Sequence, residues 1–404
     1  MRIVKMSLVT GMLLGANLYA IENVKVDGDA KLYYHTDDGK TATGTGGLFD
    51  KDSSAAQAAL RLGITADLTE DISAGASLHA LSTLGLEGNL VSNVWEAGAG
   101  AGTTSDYWFS EAWMATTMGK TSAKAGRQTL DTPLVFTETW SIVPNTFESI
   151  LLINQDIEDT TLVGAWVGST NSGGGAGIGG VVTAPSIINN DSRFNPLGGS
   201  GAYTMGVINN SWKPLTAQLW YYSVTSFASA IWAQADLDME GILVGAQYAT
   251  LDPSASGPGT DTGTAIALMV GYEMKDVVTV KLAYSSTNDK QNGVGRNLAG
   301  AQTKMYTELW WNYGRIGTAN TDAILISAEG TVSDIELFAS YGMIDHKTAG
   351  ATDLNEFALT ASKSYGPVDT SIVFINTDGK VLGAAADGNS DAQKMLQVYL
   401  TYNF

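Results

Sequence analysis

The sequence predicts an all-β fold, namely a transmembrane antiparallel up-and-down β-barrel of about eighteen strands. Three observations lead to this prediction. Many segments alternate strictly between apolar and polar residues, tight turns alternate with long loops along the chain, and no segment after the amino terminus has the roughly 18 uninterrupted apolar residues of a membrane helix. Side chains of a strand point alternately to its two faces, so each alternating segment has one apolar face and one polar face. A barrel in lipid needs this pattern, because its outside meets hydrocarbon and its inside meets water.

The first twenty residues, 1–20, are predicted to be a secretory signal peptide. Arg2 and Lys5 precede a mostly apolar run from Met6 to Leu18, and Ala20 is a small residue of the kind found at a cleavage site. We expect the mature chain to form one barrel domain over 21–404. Because the sequence contains no cysteine, lipid anchoring through cysteine, disulfides and thiol chemistry are excluded.

Composition narrows the classes of function. The formal net charge is −19, and removal of the two leader cations takes it to −21, so nucleic acid is not an expected partner. The three histidines, His35, His79 and His346, lie far apart in sequence, and no Gly-x-Ser-x-Gly motif occurs. We therefore expect no enzyme, no metal site and no cofactor. A structural Ca²⁺ that bridges loop carboxylates is compatible with the acidic loops, although none has the spacing of a dedicated site.

The first strand is predicted over 24–35. Lys25, Asp27, Asp29 and Lys31 alternate there with apolar residues, and four charges on one face are costly against lipid but not against water. That face should line an aqueous lumen. The second strand, about 55–67, has an apolar face and a polar face; these carry Leu60, Leu62, Ile64 and Ala66 on one side, and Gln57, Arg61, Thr65 and Asp67 on the other.

The last nine residues alternate in the same way. Leu396, Val398, Leu400, Tyr402 and Phe404 share one face, and the chain ends on the aromatic Phe404. This arrangement resembles the assembly signal of bacterial outer-membrane barrels. Tyr402 and Phe404 are therefore expected to be recognised by the barrel-assembly machinery.

Turns and loops give the strand count. Short polar turns are predicted at 69–71, 117–121, 155–160, 211–215, 238–241, 274–277, 332–335 and 364–369, and long loops fall between these pairs. Nineteen segments resemble strands, but single-chain bacterial barrels have an even number. Treating 288–321 as one long extracellular loop gives eighteen strands. Sixteen also fits, because the segments over 203–238 are separated by very short connections.

The middle of the chain resembles a known family. The segments 124–128, 130–134 and 142–148 read Lys-Ala-Gly-Arg-Gln, Leu-Asp-Thr-Pro-Leu and Ile-Val-Pro-Asn-Thr-Phe-Glu. They resemble the "AGRQ…DTP…PNTFEG" stretch of OprD-type outer-membrane porins. The overall layout is similar to the major outer-membrane porins of Campylobacter-type bacteria. The resemblance implies eighteen strands, passive transport of small solutes, trimers, and a loop over 129–149 that folds into the pore.

The resemblance also indicates site residues. Arg127 and Asp131 match the family motif directly, and Glu138 and Glu148 lie within it. Together with inward charges predicted from strand alternation, the expected pore-lining or constriction residues are Arg61, Glu111, Lys124, Arg127, Asp131, Glu138 and Glu148. For Arg61 and Arg127, ion pairs that only brace the wall are an equal alternative.

One feature departs from the family. OprD-type channels for acidic small molecules resemble one another in a track of pore arginines, whereas this mature chain has only five arginines: Arg61, Arg127, Arg193, Arg296 and Arg315. An acidic lumen would raise the local concentration of cations. We therefore expect a water-filled channel for passive diffusion of ions and small hydrophilic solutes, with a preference for cations. A constriction with acids on one wall and bases on the other fits equally well.

The expected location is the outer membrane of a Gram-negative bacterium, with outer-membrane lipid, solutes and two further copies of the chain as partners. An adhesin or structural barrel with a plugged lumen is the alternative function. Aromatic residues near strand ends are predicted to form the girdles at the membrane interfaces; these are Tyr33, Tyr34, Trp108, Trp220, Tyr221 and Tyr222.

Overall fold

The computed structural model describes residues 21–38, 40–41, 44–95, 97–98, 101–102, 105–172, 193–254, 261–348, 353–378 and 393–404. The predicted signal peptide lies outside these ranges. Three short 3₁₀ turns, Lys51–Ser53, Leu86–Gly88 and Tyr313–Arg315, are the helical segments of the described residues. None of the helices in the described part of the chain is long and apolar enough to span a membrane.

Eighteen long strands form a single antiparallel sheet. They are β1 Glu22–Asp37, β2 Ser54–Thr69, β3 Ile72–Ser82, β4 Ser105–Met118, β5 Thr121–Gln128, β6 Phe147–Asn154, β7 Thr160–Thr170, β8 Ala202–Asn209, β9 Leu215–Val224, β10 Ala228–Met239, β11 Ile242–Pro253, β12 Gly263–Met274, β13 Val278–Thr287, β14 Thr321–Val332, β15 Ile335–His346, β16 Leu354–Tyr365, β17 Val368–Thr377 and β18 Gln393–Asn403. The two-residue strand Asn195–Pro196 adds to the end of β7. Two small ribbons, Lys40–Thr41 with Gly44–Thr45 and Ala97–Gly98 with Ala101–Gly102, lie in the connections.

The sheet closes on itself. Leu32 of β1 pairs with Ala58 of β2 on one side and with Leu400 of β18 on the other. Every other long strand pairs with its two neighbours in sequence, so no long strand leaves an open edge. The predicted barrel and the count of eighteen strands are confirmed.

Closure depends on a glycine at the seam. Gly28 and Phe404 exchange backbone hydrogen bonds of 2.9 and 3.0 Å. A Cβ at position 28 would lie 2.5 Å from Cε2 of Phe404 and 2.6 Å from the carbonyl oxygen of Arg61. Because one of these contacts is backbone, a larger residue could not be accommodated by a side-chain movement alone.

The two rims of the barrel differ as the sequence predicts. Short turns follow β2, β4, β6, β8, β10, β12, β14 and β16, and the chain termini of the barrel lie at this same rim. Glu240 and Gly241 have φ of 53° and 89°, as two-residue hairpin turns require. The longer connections lie at the opposite rim, with one exception: only 225–227 join β9 to β10.

Side chains alternate between lipid-facing and lumen-facing positions. In β12, Leu268, Val270 and Tyr272 are about half exposed, whereas Ala265 and Ala267 on the other face are buried. The apolar faces predicted for β2 and β18 point outward, since Leu60, Leu62, Leu400, Tyr402 and Phe404 are all exposed.

The same alternation corrects the predicted aromatic girdle. Tyr221 is 45% exposed and faces outward, but its neighbours Trp220 and Tyr222 are buried on the inner face. Tyr33 and Trp108 are also buried inside the barrel. Consecutive residues of a strand cannot share a face, so only part of this aromatic set can meet the membrane.

Candidate functional site

Two long connections fold into the lumen. Loop A, 129–146, joins β5 to β6, and loop B, 288–320, joins β13 to β14. Leu134 of loop A, and Val294 and Met305 of loop B, are buried in one cluster with Trp232 and Ala249 of the inner wall. Loop A is the inward loop that the sequence predicted. Loop B joins its strands at the rim of long loops, as the sequence predicts, but it also folds inward, because its apolar side chains are buried against the wall.

Glu138 joins the two loops. Its Oε1 accepts hydrogen bonds from the backbone N–H groups of Ala301 and Gln302, at 2.6 and 2.8 Å, and from Nδ2 of Asn297 at 3.0 Å. Its Oε2 accepts one from the indole of Trp140 at 3.1 Å. The residue is 3% exposed, and burial raises the pKa of this carboxyl group. Glu138, expected at the constriction, thus holds loop B against loop A instead of facing open space.

Glu356 of β16 fixes loop B to the wall. Its carboxylate accepts hydrogen bonds from the backbone N–H groups of Trp311 and Asn312, at 2.9 and 2.8 Å, and from Nδ2 of Asn312 at 2.8 Å. The indole of Trp310 donates to Gln397 of β18 at 3.1 Å. These bonds explain where the aromatic residues of loop B pack. Sequence reasoning missed Glu356, although its inward place in β16 follows from the buried Leu354 and Ala358 on the same face.

Asp131 lies where the loops meet the open lumen. Its side chain is 89% exposed and forms an ion pair with Lys304 of loop B. The ammonium group of Lys304 also lies 5.0 Å from the centre of the Phe136 ring. Nearby, Tyr306 of loop B donates a hydrogen bond of 2.5 Å to Asp236 on β10. Asp131 is therefore an acid at the surface of the narrowed region.

The inner wall of β1–β5 carries both signs of charge; we call it the mixed arc. Arg61 lies 2.5 Å from Asp27 and 2.6 Å from Asp29, and Lys31 lies 3.8 Å from Asp29. Lys25 shares this inner face of β1. The lumen-facing prediction for the first strand agrees with these contacts. Arg61 is held between two carboxylates, as the bracing alternative expected.

The remainder of the mixed arc includes the acid Glu111 and the base Lys124. Glu111 of β4 accepts a hydrogen bond of 3.4 Å from Ser77. The ammonium group of Lys124 lies 4.1 Å from the centre of the Trp113 ring. Both residues lie on the inner face of their strands.

The opposite wall is more acidic; we call β10–β15 the acidic arc. Asp236 on β10, Glu273 on β12, Glu329 on β14 and Glu336 on β15 occupy inward positions of their strands. Lys281 is the base that faces them, and it lies 2.9 Å from Glu329. These acids are not evident from a motif, although each lies in an alternating strand whose apolar residues indicate its inward direction.

Arg127 and Glu148 form an ion pair of 2.9 Å, but on the outer face, contrary to the expectation that they line the pore. Glu148 shares its face of β6 with Ile150 and Leu152, which are 46% and 49% exposed, whereas Phe147 on the other face is buried. Ser169 donates to Glu148 at 2.6 Å, and the Arg127 guanidinium lies 4.1 Å from the centre of the Phe194 ring. Ile150 and Leu152 stand at every second position after Glu148, so the sequence alone indicates that Glu148 faces outward with them.

Histidines and carboxylates form no metal site in the described ranges. His79 shares a hydrogen bond of 2.7 Å with Ser110, and His35 stacks on Trp311 at 5.3 Å. His346 shares one of 2.8 Å with Thr321. No three His, Asp or Glu side chains of these ranges come together as metal ligands. A loop-bridging Ca²⁺ stays a prediction.

No protein-family model and no curated protein matches the chain. Solved structures from Pseudomonas aeruginosa match its fold. OccK9 (OpdG) has a TM-score of 0.74 at 12% identity, over 95% of this chain and 99% of that chain. The outer membrane protein OpdK has a TM-score of 0.74 at 10% identity over the same shares, and OccK3 (OpdO) has 0.70 at 13% identity over 96% and 99%. The chain therefore has the barrel fold of the OprD-type porins that its stretch 124–148 resembles.

Proposed function

We propose that this protein is an outer-membrane porin, a water-filled channel for passive diffusion of ions and small hydrophilic solutes. The observation that carries the proposal is the closed barrel with an apolar outer belt and a charged inner wall. Hydrocarbon accepts the first surface, and only water or polar solutes suit the second. OpdK, which shares the fold, is an outer membrane protein.

The channel prefers cations. Along the described strands β10–β15, the acidic arc presents Asp236, Glu273, Glu329 and Glu336 to the lumen against one base, Lys281. Asp131, where the loops narrow the path, is paired with Lys304 and adds no net charge. Three of the five arginines do not offset this charge. Arg61 is paired with two carboxylates, Arg127 faces outward, and Arg296 is 6% exposed and donates to the carbonyl of Ile316 at 2.7 Å. A field of this sign concentrates cations and steers them inward.

The barrel also indicates where the protein is located and which partners it has. The exported chain inserts into the outer membrane of a Gram-negative bacterium through the barrel-assembly machinery, which reads the strand that ends in Tyr402 and Phe404. Both rings face outward and stack 6.0 Å apart, so they are accessible on the barrel surface. Three copies form the working assembly.

Single-channel conductance in a planar bilayer under a KCl gradient tests the proposal. Stepwise openings are expected, with a reversal potential of the sign that K⁺ permeability produces. Openings with anion preference would keep the channel and overturn its selectivity. Absence of openings from folded barrel would favour the structural or adhesin class, since loops A and B already fill part of the lumen.

A further inference from the structure

A cavity of about 740 Å³ opens into the lumen at the rim of tight turns, on the acidic arc. It lies between the ends of β12–β16 and has the size of a site for a small organic molecule. Five of its sixteen lining residues are acidic and none is basic. The acids are Glu273, Asp276, Glu329, Asp334 and Glu336.

The acids differ in how far they are neutralised. Glu329 forms an ion pair with Lys281, which stands next to the cavity. Among the described residues, Glu273 and Glu336 form no ion pair. The cavity therefore keeps a net negative charge, with Glu336 as an uncompensated carboxylate in its wall.

Acids alone do not make a site, but two other groups in the wall point to a ligand. The hydroxyl of Thr360 is the first. The residue is 8% exposed, and its Oγ1 has no hydrogen-bond partner in the described structure, which costs free energy unless a ligand supplies one. The second is Phe338, an aromatic ring on the inner face of β15, whose centre lies 6.5 Å from that of Trp310 in loop B. Ring faces attract both apolar surface and cations.

We propose that this cavity binds organic cations that carry a primary ammonium group on an apolar or aromatic body. The ammonium group pairs with Glu336 and donates to Thr360, while the body packs against Phe338. Glu336 and Thr360 thus contact the ammonium group, and the ring of Phe338 contacts the body. A bare inorganic cation would use only the first, and an anion would be repelled. The inference rests on the proposed channel function and names a solute class for it.

Block of KCl current by 2-phenylethylammonium tests the site. The probe is added in turn to each compartment of a bilayer that holds single channels of the full-length mature protein. We expect voltage-dependent block from the side of the tight-turn rim at a lower concentration than from the other side. The neutral analogue 2-phenylethanol should not block, and tetraethylammonium, which cannot donate to Thr360, should block more weakly.

Variants assign the block to the cavity. Glu336→Gln and Phe338→Leu should each raise the half-blocking concentration roughly two- to fivefold, the range set by an exposed ion pair or cation–π contact. Asp67→Asn is the matched control, because Asp67 lies on the inner face of β2, at the same rim but on the mixed arc; its half-blocking concentration should not change.

The outcomes separate this inference from the proposed function. A conducting, cation-preferring channel that shows equal block from both sides, or block unchanged in Glu336→Gln and Phe338→Leu, would overturn the site and leave the porin intact. Failure of the folded protein to conduct at all would overturn the porin itself. In that case, a binding experiment still tests the cavity. Equilibrium binding of a fluorescent aryl ammonium probe to detergent-solubilised barrel is compared between the native chain and Glu336→Gln.

Discussion

The mixed arc and the acidic arc are built from the same alternating strands, yet they hold charge in opposite ways. On the mixed arc, Arg61 lies between Asp27 and Asp29, and acidic and basic side chains of the wall largely neutralise one another. On the acidic arc, carboxylates outnumber Lys281 and leave a net charge toward the lumen. The balance of acids and bases on a wall therefore decides whether its charges brace one another or attract ions from the lumen.

The arcs also hold the inward loops differently. Ile142 and Val143 of loop A pack into an apolar cluster with Tyr33 and Trp108 of the mixed arc. Loop B buries Val294 and Met305 against the other side and adds polar contacts there, such as the hydrogen bond from Tyr306 to Asp236 and that from Gln247 to the carbonyl of Lys304 at 2.9 Å. Apolar packing is insensitive to charge, whereas the polar ties respond to substitution and pH.

The largest expected effect comes from breaking the mixed arc. Arg61→Ala leaves Asp29, which is 7% exposed, as a buried carboxylate without its main partner. We expect the free energy of unfolding, measured by urea titration in detergent micelles, to fall by about 2–4 kcal/mol. Lys281→Ala on the acidic arc should cost less than about 1 kcal/mol, because both partners of that pair are well exposed. Equal losses for the two variants would contradict the distinction between the arcs.

Separating the loops should have the next largest effect. Glu138→Ala removes the acceptor of four hydrogen bonds. The freed donors reach water once loop B detaches, so we expect the free energy of docking to fall by about 1–3 kcal/mol in total. We expect loop B to detach from loop A, with a higher and noisier single-channel conductance. Thr139→Ala is the matched control, since its exposed side chain lies next in sequence. An unchanged conductance in Glu138→Ala would show that the polar ties of loop B to the wall suffice.

The docking of loop B should depend on pH. Burial and the nearby Glu138 raise the pKa of Glu308 to about 8, against the opposing effects of the Thr303 N–H and Lys304. An acid with a raised pKa binds its proton more tightly in the docked state, so the stability of docking falls as pH rises from about 4.5 to 8. Conductance noise should increase over this window. Glu308→Gln should flatten the dependence, and a dependence that persists in that variant would assign it to another group.

The smallest expected effect concerns selectivity. Glu273→Gln combined with Glu336→Gln should lower the K⁺/Cl⁻ permeability ratio by roughly two- to fivefold, because a unit charge several Å from the path is worth about 0.5 kcal/mol in water. Lys281→Gln should raise the ratio by a smaller amount. Reversal potentials under a KCl gradient measure both. A lowered ratio in Lys281→Gln would mean that the acidic arc does not control selectivity.

The sequence predicts the barrel well because alternation is a local property. The faces of β1, β2 and β18 follow from counting in twos, and the tight turns follow from short polar segments between strands. Loops lack such a period, so the direction of loop B depends on a partner far away, Glu356, which no local pattern reveals. Arg127 and Glu148 were assigned to the pore from the family motif, while counting back from Ile150 places them outside. For these two residues the family motif and the strand periodicity indicate opposite faces of the barrel, and the structure agrees with the periodicity.

Closure of the barrel through β1 and β18 has a consequence for folding kinetics. The seam pairs Asp29 with Asn403 and Leu32 with Leu400, so the contacts that complete the sheet join residues near opposite ends of the chain. Contacts of such large sequence separation form late, because the chain must first give up the entropy of a very long loop. Until then the growing sheet has two exposed edges that can pair with other chains. The rate of seam formation therefore sets how long this protein stays prone to aggregation.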